Sequence, residues 1–507
     1  MPKHSQVVPS EVVHLNLEYY RKQAKALLKS ARAGDAAAVG RLPLRPNDLK
    51  TALHDAQLAI AREQGFPSWP RFKAFIEESQ LNFQELVAAF IDAATSDFKR
   101  AETLLAANPK IEGAGFYVAL VLGNAKEVES ALVENPELAK KKSGPQNVEP
   151  LVYACFSRYA GRKSPRSAAL VETVRVLLRY GADSNTSFTP EDLPNNPLSC
   201  LYAATGLNNN PELARVLLEA GATPNDGESL YHATEHADME CVKLLLKYGA
   251  NVEEANALKH ILDWEGPEGL KLLLEAGGDP NLKNENGQTA LHWAVWRGRS
   301  AKIVGMLLDY GADINARRHD GRTAYALAAV AGRKDLTELL KARGADLSMA
   351  EADQIVADCL TAGPEGAKAL LAAREKVAGS MLAAHLLPDL TMSHSTEAVR
   401  VLLAAGVPVN TRGGHGGTAL HWACWKGYPD IVALLLEYGA DLTLEDFQFH
   451  ARPAGWLHHG AANNGDGADY AGVARLLLKV DPRLKACDSA SGNVELDAVL
   501  RKAGIIS

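Results

Sequence analysis

The stretch from Gly287 to Asn315 constrains the fold more than any other part of the chain. It predicts two short amphipathic helices, and neither can bury its apolar face alone. Thr289 opens the first helix, where its hydroxyl can accept a hydrogen bond from a free N–H group. The second helix carries apolar residues at helical spacing, at Ile303, Met306, Leu307 and Leu308. Gly311 ends it, because glycine takes a left-handed backbone without a Cβ clash. The stretch must therefore stack on copies of itself.

A second strong copy, GTALHWACWKGYPDIVALLLEYGAD, lies at residues 417–441. Thr289 and Thr418 are 129 residues apart, which corresponds to four repeats of about 32 residues. The two copies are therefore in register, and weaker copies between and around them are expected. A repeat array also explains how a chain of 507 residues folds without one large core, since each repeat packs only on its neighbours.

The motifs TALHWA at 289–294 and GAD-N at 311–315 resemble the ankyrin repeat, with its T-P-L-H-x-A signature and period of about 33 residues. This resemblance implies an all-α fold, an ankyrin-repeat solenoid of about twelve helix-turn-helix repeats. Residues 12–80 are similar to an N-terminal helical cap of bacterial ankyrin-repeat proteins, although a separate binding domain is the alternative. The array is expected at 83–484 and a C-terminal capping helix at 485–507. The weak repeats at 350–410 either bend the array or form a hinge.

The composition limits the kinds of partner that the chain can bind. The net charge is −7, and the basic and acidic residues are interspersed, which argues against binding to nucleic acid or to anionic membranes. The six cysteines are widely spread without a CxxC motif, as in a reduced cytoplasmic protein. The first residues have no apolar signal core, and no apolar run reaches about 18 residues. We therefore expect a cytoplasmic protein that binds another protein and needs no cofactor. The oligomeric state stays open.

The resemblance also implies binding positions. In the family pattern, the two residues after T-P-L-H-L-A-A end the first helix and point into the concave face. Carried over to this sequence, such positions give the candidate binding residues His236, Asp263, Trp264, Trp296, Arg297, Trp425, Lys426 and His459.

Trp296 and Trp425 are the sharpest of these signals, because a solvent-facing tryptophan leaves a large apolar area that an interface would cover. The alternative is that each packs on a neighbouring first helix, as we expect of Trp293 and Trp422. Four repeats separate the two candidates, or roughly 40 Å at about 10 Å per repeat. A ligand that contacts both is therefore extended, or there are two sites.

Glu235 stands where the family usually has a core alanine, and Asp263 lies one repeat further on. The alternative function is an enzyme acting on a sugar or a similar polar ligand in a pocket that also contains Trp296. Two carboxylates about 6.5–9.5 Å apart would then act as acid and base. The structural interpretation is an ion pair of Glu235 with a partner at His232, Lys259 or His260.

His292 and His421 match the histidine of the family, and we interpret them as structural hydrogen-bonding residues. Metal binding is the alternative, for His421 with Cys424 and for a second set at His458, His459, Asp466 and Asp469. Neither set has full zinc spacing. The sequence also lacks a P-loop, a dinucleotide-binding fingerprint and a G-x-S-x-G motif. We therefore expect a cytosolic scaffold that holds a protein or another extended partner, rather than an enzyme.

Overall fold

A computed structural model describes residues 16–42, 52–66, 68–190, 195–362, 369, 372, 382–404, 406–463, 468–482, 484 and 491–506. Two sequence predictions fall outside these residues, namely the loop that Pro43 and Pro46 indicate and the candidate metal ligand Asp466. The chain divides into two compact units. The first unit comprises residues 1–82 and 377–507, and the second comprises residues 83–376. Among the described helices, none is both long and apolar enough to cross a membrane.

The N-terminal part of the first unit forms four helices, α1 (Leu17–Arg32), α2 (Ala36–Arg41), α3 (Leu53–Glu63) and α4 (Trp69–Ser79). Their apolar faces meet in one cluster that includes Tyr20, Ile60 and Phe72. Apolar residues at helical spacing in the sequence predict α1, α3 and α4, whereas the short α2 is not predicted. Helix α2 begins because the Asp35 carboxylate accepts hydrogen bonds from two free N–H groups of the first turn.

The second unit consists of short helices, most of which form a contacting pair with the next helix along the chain. They are α5 (Phe83–Ser96), α6 (Phe98–Ala107), α7 (Phe116–Leu122), α8 (Ala125–Glu134), α9 (Pro150–Phe156), α10 (Ser167–Arg179), α11 (Cys200–Tyr202), α12 (Pro211–Glu219), α13 (Ser229–Ala233), α14 (Glu240–Lys247), α15 (Ala257–His260), α16 (Pro267–Glu275), α17 (Ala290–Trp296), α18 (Ala301–Asp309), α19 (Ala324–Val330), α20 (Lys334–Ala342) and α21 (Glu351–Thr361). A π-helical turn, Ala203–Leu207, extends α11. Two short strands, β1 (Ser187–Phe188) and β2 (Leu198–Ser199), pair antiparallel.

The remainder of the first unit repeats the same paired arrangement. Its helices are α22 (Leu382–Met392), α23 (Thr396–Ala404), α24 (Ala419–Lys426), α25 (Pro429–Glu437), α26 (Pro453–Asn463), α27 (Tyr470–Val480) and α28 (Val494–Lys502). Helix α28 lies within residues 485–507, where the sequence predicts a C-terminal capping helix.

A threonine–histidine pair starts the first helix of both strong repeats. The main-chain N–H of Thr289 donates to His292 Nδ1 over 3.2 Å, and His292 Nε2 lies 3.2 Å from the carbonyl oxygen of Arg322 in the next repeat. Because Nδ1 accepts this bond, Nε2 carries the proton of the neutral ring. Thr418 and His421 repeat this arrangement. The predicted structural role of both histidines is confirmed.

Asparagine side chains join consecutive repeats at the turns. Asn281 donates to the carbonyl oxygen of Gly311 over 2.9 Å and accepts from the N–H of Asp313 over 2.6 Å. Asn225 makes the same two bonds to the turn after α14. Gly311 itself has a φ of 86°, so its left-handed backbone ends α18 as predicted. Consecutive repeats are thus joined by hydrogen bonds between their turns as well as by packing between their helices.

His292 gives a pH-dependent prediction. Burial lowers its pKa to about 4, against about 6.5 in an unfolded chain. Below pH 6.5 the unfolded chain takes up a proton that the folded chain refuses. The contribution of neutral His292 to the free energy of unfolding is therefore complete above pH 6.5. It is lost as the pH falls towards 4, which lowers stability by up to about 3 kcal/mol. We expect an NMR titration to place the imidazole pKa near 4, and His292→Gln to remove this part of the pH dependence in urea unfolding. An imidazole that titrates near 6.5 would contradict the prediction.

Candidate binding surface

The first cluster of candidate residues lies where α17 ends. Trp296 is the last residue of α17 and is half-buried, whereas Arg297 caps the helix and is only 8% exposed. The guanidinium carbon of Arg297 lies 4.8 Å from the ring centroid of Trp293 and 4.6 Å from that of Trp296. The two indole rings meet edge to face at 5.0 Å. Arg297 is therefore held between aromatic rings instead of extending into solvent.

Asp263, from the preceding repeat, completes this cluster. Its Oδ1 lies 2.7 Å from Arg297 Nε and accepts a hydrogen bond from Trp293 Nε1 over 3.1 Å. The contact with Arg297 is an ion pair rather than an aligned hydrogen bond. Burial lowers the pKa of Arg297, and the charge of Asp263 opposes that shift. Trp293 thus packs on its neighbouring repeat, as expected, and it does so through a polar contact.

A second cluster surrounds His232, one repeat before Asp263. His232 Nδ1 lies 2.8 Å from Glu235 Oε1, and Nε2 lies 3.0 Å from Glu228 Oε2. Burial alone would lower the pKa of His232, but the two carboxylates outweigh it and raise the pKa. Glu235 is also 3.7 Å from His260 Nε2, and its side chain is 37% exposed. The predicted structural ion pair of Glu235 with His232 is therefore present, and the carboxylate is both paired and partly exposed.

Aromatic rings connect these two clusters. Tyr202 contacts His232 edge to face with ring centroids 5.1 Å apart, and Tyr231 stacks on His260 at 3.4 Å. His260 in turn meets Trp264 edge to face at 4.9 Å. We call these five rings the aromatic row. Burial and the nearby carboxylates, Asp263 first among them, raise the pKa of Tyr231 to about 12, so its hydroxyl stays protonated.

The remaining candidate of the second unit, His236, is half-buried, and its Nε2 lies 2.7 Å from the carbonyl oxygen of Gly206. His236 therefore ties the turn after α13 to the preceding repeat. Asp263 and Trp264 lie just after α15, and Trp296 and Arg297 lie at the end of α17, so the structure places all four on the first helices of two consecutive repeats. Tyr202 and Tyr231 belong to the same surface, and the motif comparison missed them because they precede the two positions that it scores.

In the first unit, Trp425 and Lys426 end α24 in the same way. Lys426 is 8% exposed, and its Nζ lies 4.3 Å from the ring centroid of Trp425. Trp425 contacts Trp422 at 5.6 Å, and Trp422 meets Trp456 of α26 at 4.8 Å. Trp456 donates from Nε1 to Asp446 Oδ2 over 2.9 Å. The Trp425 ring therefore packs against the buried rings of Trp422 and Trp456.

The last candidate, His459, is exposed on α26, where Asn463 lies 3.3 Å from its Nδ1. Trp456, three residues earlier on the same helix, makes the contacts with α24. Sequence reasoning missed Trp456 because the insertion around it obscures the repeat register.

The carboxylates of the enzyme alternative are each held by a basic side chain, Asp263 by Arg297 and Glu235 by His232. An open cleft of about 260 Å³ lies elsewhere in the second unit, between turns, and is lined by residues such as Val252, Lys259 and Leu282. Within the described parts of the chain, no group of three or more histidine, cysteine, aspartate or glutamate side chains is arranged to hold a metal ion.

Comparison with known families identifies the repeats. A family model of ankyrin repeats matches the chain in three copies, at residues 165–256, 258–350 and 381–446. The chain is an ankyrin-repeat protein. Over 55 residues, 11% of its length, this ankyrin-repeat protein is 44% identical to the E3 ubiquitin-protein ligase KEG of Arabidopsis thaliana, covering 3% of that relative.

A match of the same length is 40% identical to protein phosphatase 1 regulatory subunit 27 of Homo sapiens and of Mus musculus, covering 36% of each. The matches therefore span 36% or less of each of these relatives.

Proposed function

We propose that this ankyrin-repeat protein is a binding scaffold that holds an extended segment of a protein partner on its concave face. The observation that carries the proposal is the recurrence of one arrangement in both units. A half-buried tryptophan ends the first helix, and the basic residue that follows it lies over the indole ring. Tryptophan and arginine are the side chains that dominate binding hot spots.

The basic residues in both clusters hold the rings in place. Arg297 and Lys426 are each only 8% exposed, so their role is to orient Trp296 and Trp425 and to add positive potential beneath a bound segment. A rigid indole loses little conformational entropy on binding, which favours affinity. The similarity to a regulatory subunit supports a protein as the partner, and the net charge of −7 argues against nucleic acid and membranes. We place the protein in the cytoplasm.

The test is affinity capture from native lysate of the source cells with wild-type protein and the double variant Trp296→Ala/Trp425→Ala. We expect the double variant to recover at least tenfold less of the partner, since each hot-spot side chain contributes about 2 kcal/mol or more. The matched control is Tyr310→Ala/Tyr438→Ala, which removes exposed rings at the C-terminal ends of the second helices of the same two repeats.

Recovery is quantified by mass spectrometry, and circular dichroism verifies that both variants remain folded. If the tryptophan variant recovers the same proteins in the same amounts as the tyrosine variant, the proposed binding surface is wrong.

A further inference from the structure

Arg158 is a half-buried cation that lies just after a first helix of the second unit. It follows α9, in the short turn from Arg158 to Ala160, one repeat before Tyr202. Among the residues that the structure describes, its guanidinium has no hydrogen bond or ion pair. Burial lowers the pKa of Arg158, and its strongest electrostatic neighbour is the Tyr202 phenol. A desolvated guanidinium of this kind is stabilised by a carboxylate from a ligand.

Tyr202 links Arg158 to the carboxylates around His232. Burial raises the pKa of Tyr202, the charges of Glu235 and Glu228 raise it further, and the charge of Arg158 lowers it. The Tyr202 ring also contacts the His232 ring at 5.1 Å. Helix α9 contacts α11, and α11 contacts α13, so Arg158, Tyr202 and the Glu228–Glu235 pair lie on three successive repeats.

This surface has charges of opposite sign at its two ends. The two carboxylates of the Glu228–Glu235 pair share one imidazole, that of His232. Even with that imidazole protonated, one negative charge is left uncompensated. His260 adds no charge there, because burial lowers its pKa. Tyr202 is an electrostatic neighbour of both ends, of Arg158 and of the Glu228–Glu235 pair.

We propose that the segment bound by this surface places an acidic side chain on Arg158 and a basic side chain on the Glu228–Glu235 pair. The inference rests on the proposed function, and it specifies the chemistry of the partner. From α9 to α13 the surface advances by two repeats, or about 16–20 Å at 8–10 Å per repeat. An extended chain covers about 3.3 Å per residue, so the two charged residues stand five or six positions apart. A small anion would satisfy only Arg158, whereas a peptide satisfies both ends.

The test uses a phage-displayed library of random twelve-residue peptides, selected on the full-length protein. We expect wild type to enrich peptides with an acidic and a basic residue five or six positions apart. Arg158→Glu should replace the acidic residue of the motif by a basic one. The best wild-type peptide should bind Arg158→Glu at least tenfold more weakly, and exchanging its acidic residue for lysine should restore binding. Arg158→Gln, which adds no new charge, should lose the preference for acid.

The matched control is Arg175→Glu. It reverses a charge on α10, where Arg175 is exposed and pairs with Glu212 over 2.8 Å, and it should select the wild-type motif. Two outcomes would overturn the inference while the proposed function stands. In the first, the enriched peptides require Trp296 or Trp425 but show no preference for an acidic residue. In the second, they show that preference, and Arg158→Glu leaves it unchanged. If no peptide is enriched on the wild-type protein, both the inference and the binding of extended segments are wrong.

Discussion

Replacing Gly460 by alanine is expected to destabilise the repeats at α24 and α26 by about 3 kcal/mol. A Cβ at this position would overlap the carbonyl oxygen of Trp425 and lie 2.8 Å from its carbonyl carbon. These are main-chain atoms, so no side-chain rotation relieves the contact and the two helices must move apart. Overpacking typically costs about 1–3 kcal/mol, and a rigid neighbour places this substitution at the upper end.

Gly455 provides the control on the same helix. A Cβ there meets only the Ala451 side chain, at 3.4 Å. Gly455→Ala should therefore leave stability unchanged or raise it by up to about 1 kcal/mol, since alanine favours helix over glycine. Urea unfolding followed by circular dichroism compares the two variants. Because repeat arrays unfold segment by segment, hydrogen exchange of peptides from 419–463 should locate the loss. Equal stability of the two variants would contradict the close approach of α24 and α26.

The same close contact explains how the first unit orients Trp425. Its carbonyl oxygen faces Gly460 and accepts from the Tyr470 hydroxyl over 3.2 Å, so its backbone is fixed from two sides. Below the ring, Trp422 and Trp456 fill the space between the helices. An indole held this way needs little reorganisation when a partner binds.

Features that repeat along the chain were predictable from the sequence. The threonine that starts α17 and the glycine that ends α18 follow from local spacing, since each depends on one turn of helix. The histidine of the helix start and the position of Trp296 at the end of α17 were implied by the resemblance to the ankyrin repeat. The ion pair of Glu235 with His232 was also predictable, because the two residues are three positions apart on one turn.

Contacts between repeats were not predictable from local spacing. The pairing of Asp263 with Arg297, 34 positions later, depends on how one repeat is rotated on the next. The role of Trp456 depends on an insertion that shifts its repeat out of register. Arg158 lies in a separate short turn, Arg158–Ala160, that follows a first helix. Alignment to the repeat motif therefore does not mark it as a binding position. Stacking geometry decides which side chains meet, and the sequence encodes it only indirectly.

Replacing Asp263 by alanine is expected to destabilise the second unit by about 3–5 kcal/mol, the usual cost of removing one partner of a buried ion pair. The Arg297 guanidinium is 8% exposed and confined between two indole rings, so it cannot move into water when the carboxylate is lost. Trp293 Nε1 loses its acceptor in the same change. Asp263→Asn also removes the charge, but it should cost less stability than Asp263→Ala, because the amide oxygen can still accept the hydrogen bond from Trp293.

The control for this prediction is Asp309→Ala. Asp309 lies 2.8 Å from Arg343, a distance similar to that in the buried pair, but both side chains are largely exposed. An exposed pair contributes only about 0–1 kcal/mol, so the difference between the two alanine variants measures the effect of burial. Urea unfolding provides the comparison, and hydrogen exchange over 290–309 should increase only for Asp263→Ala. Equal stabilities would mean that Asp263 contributes no more to stability than a surface charge.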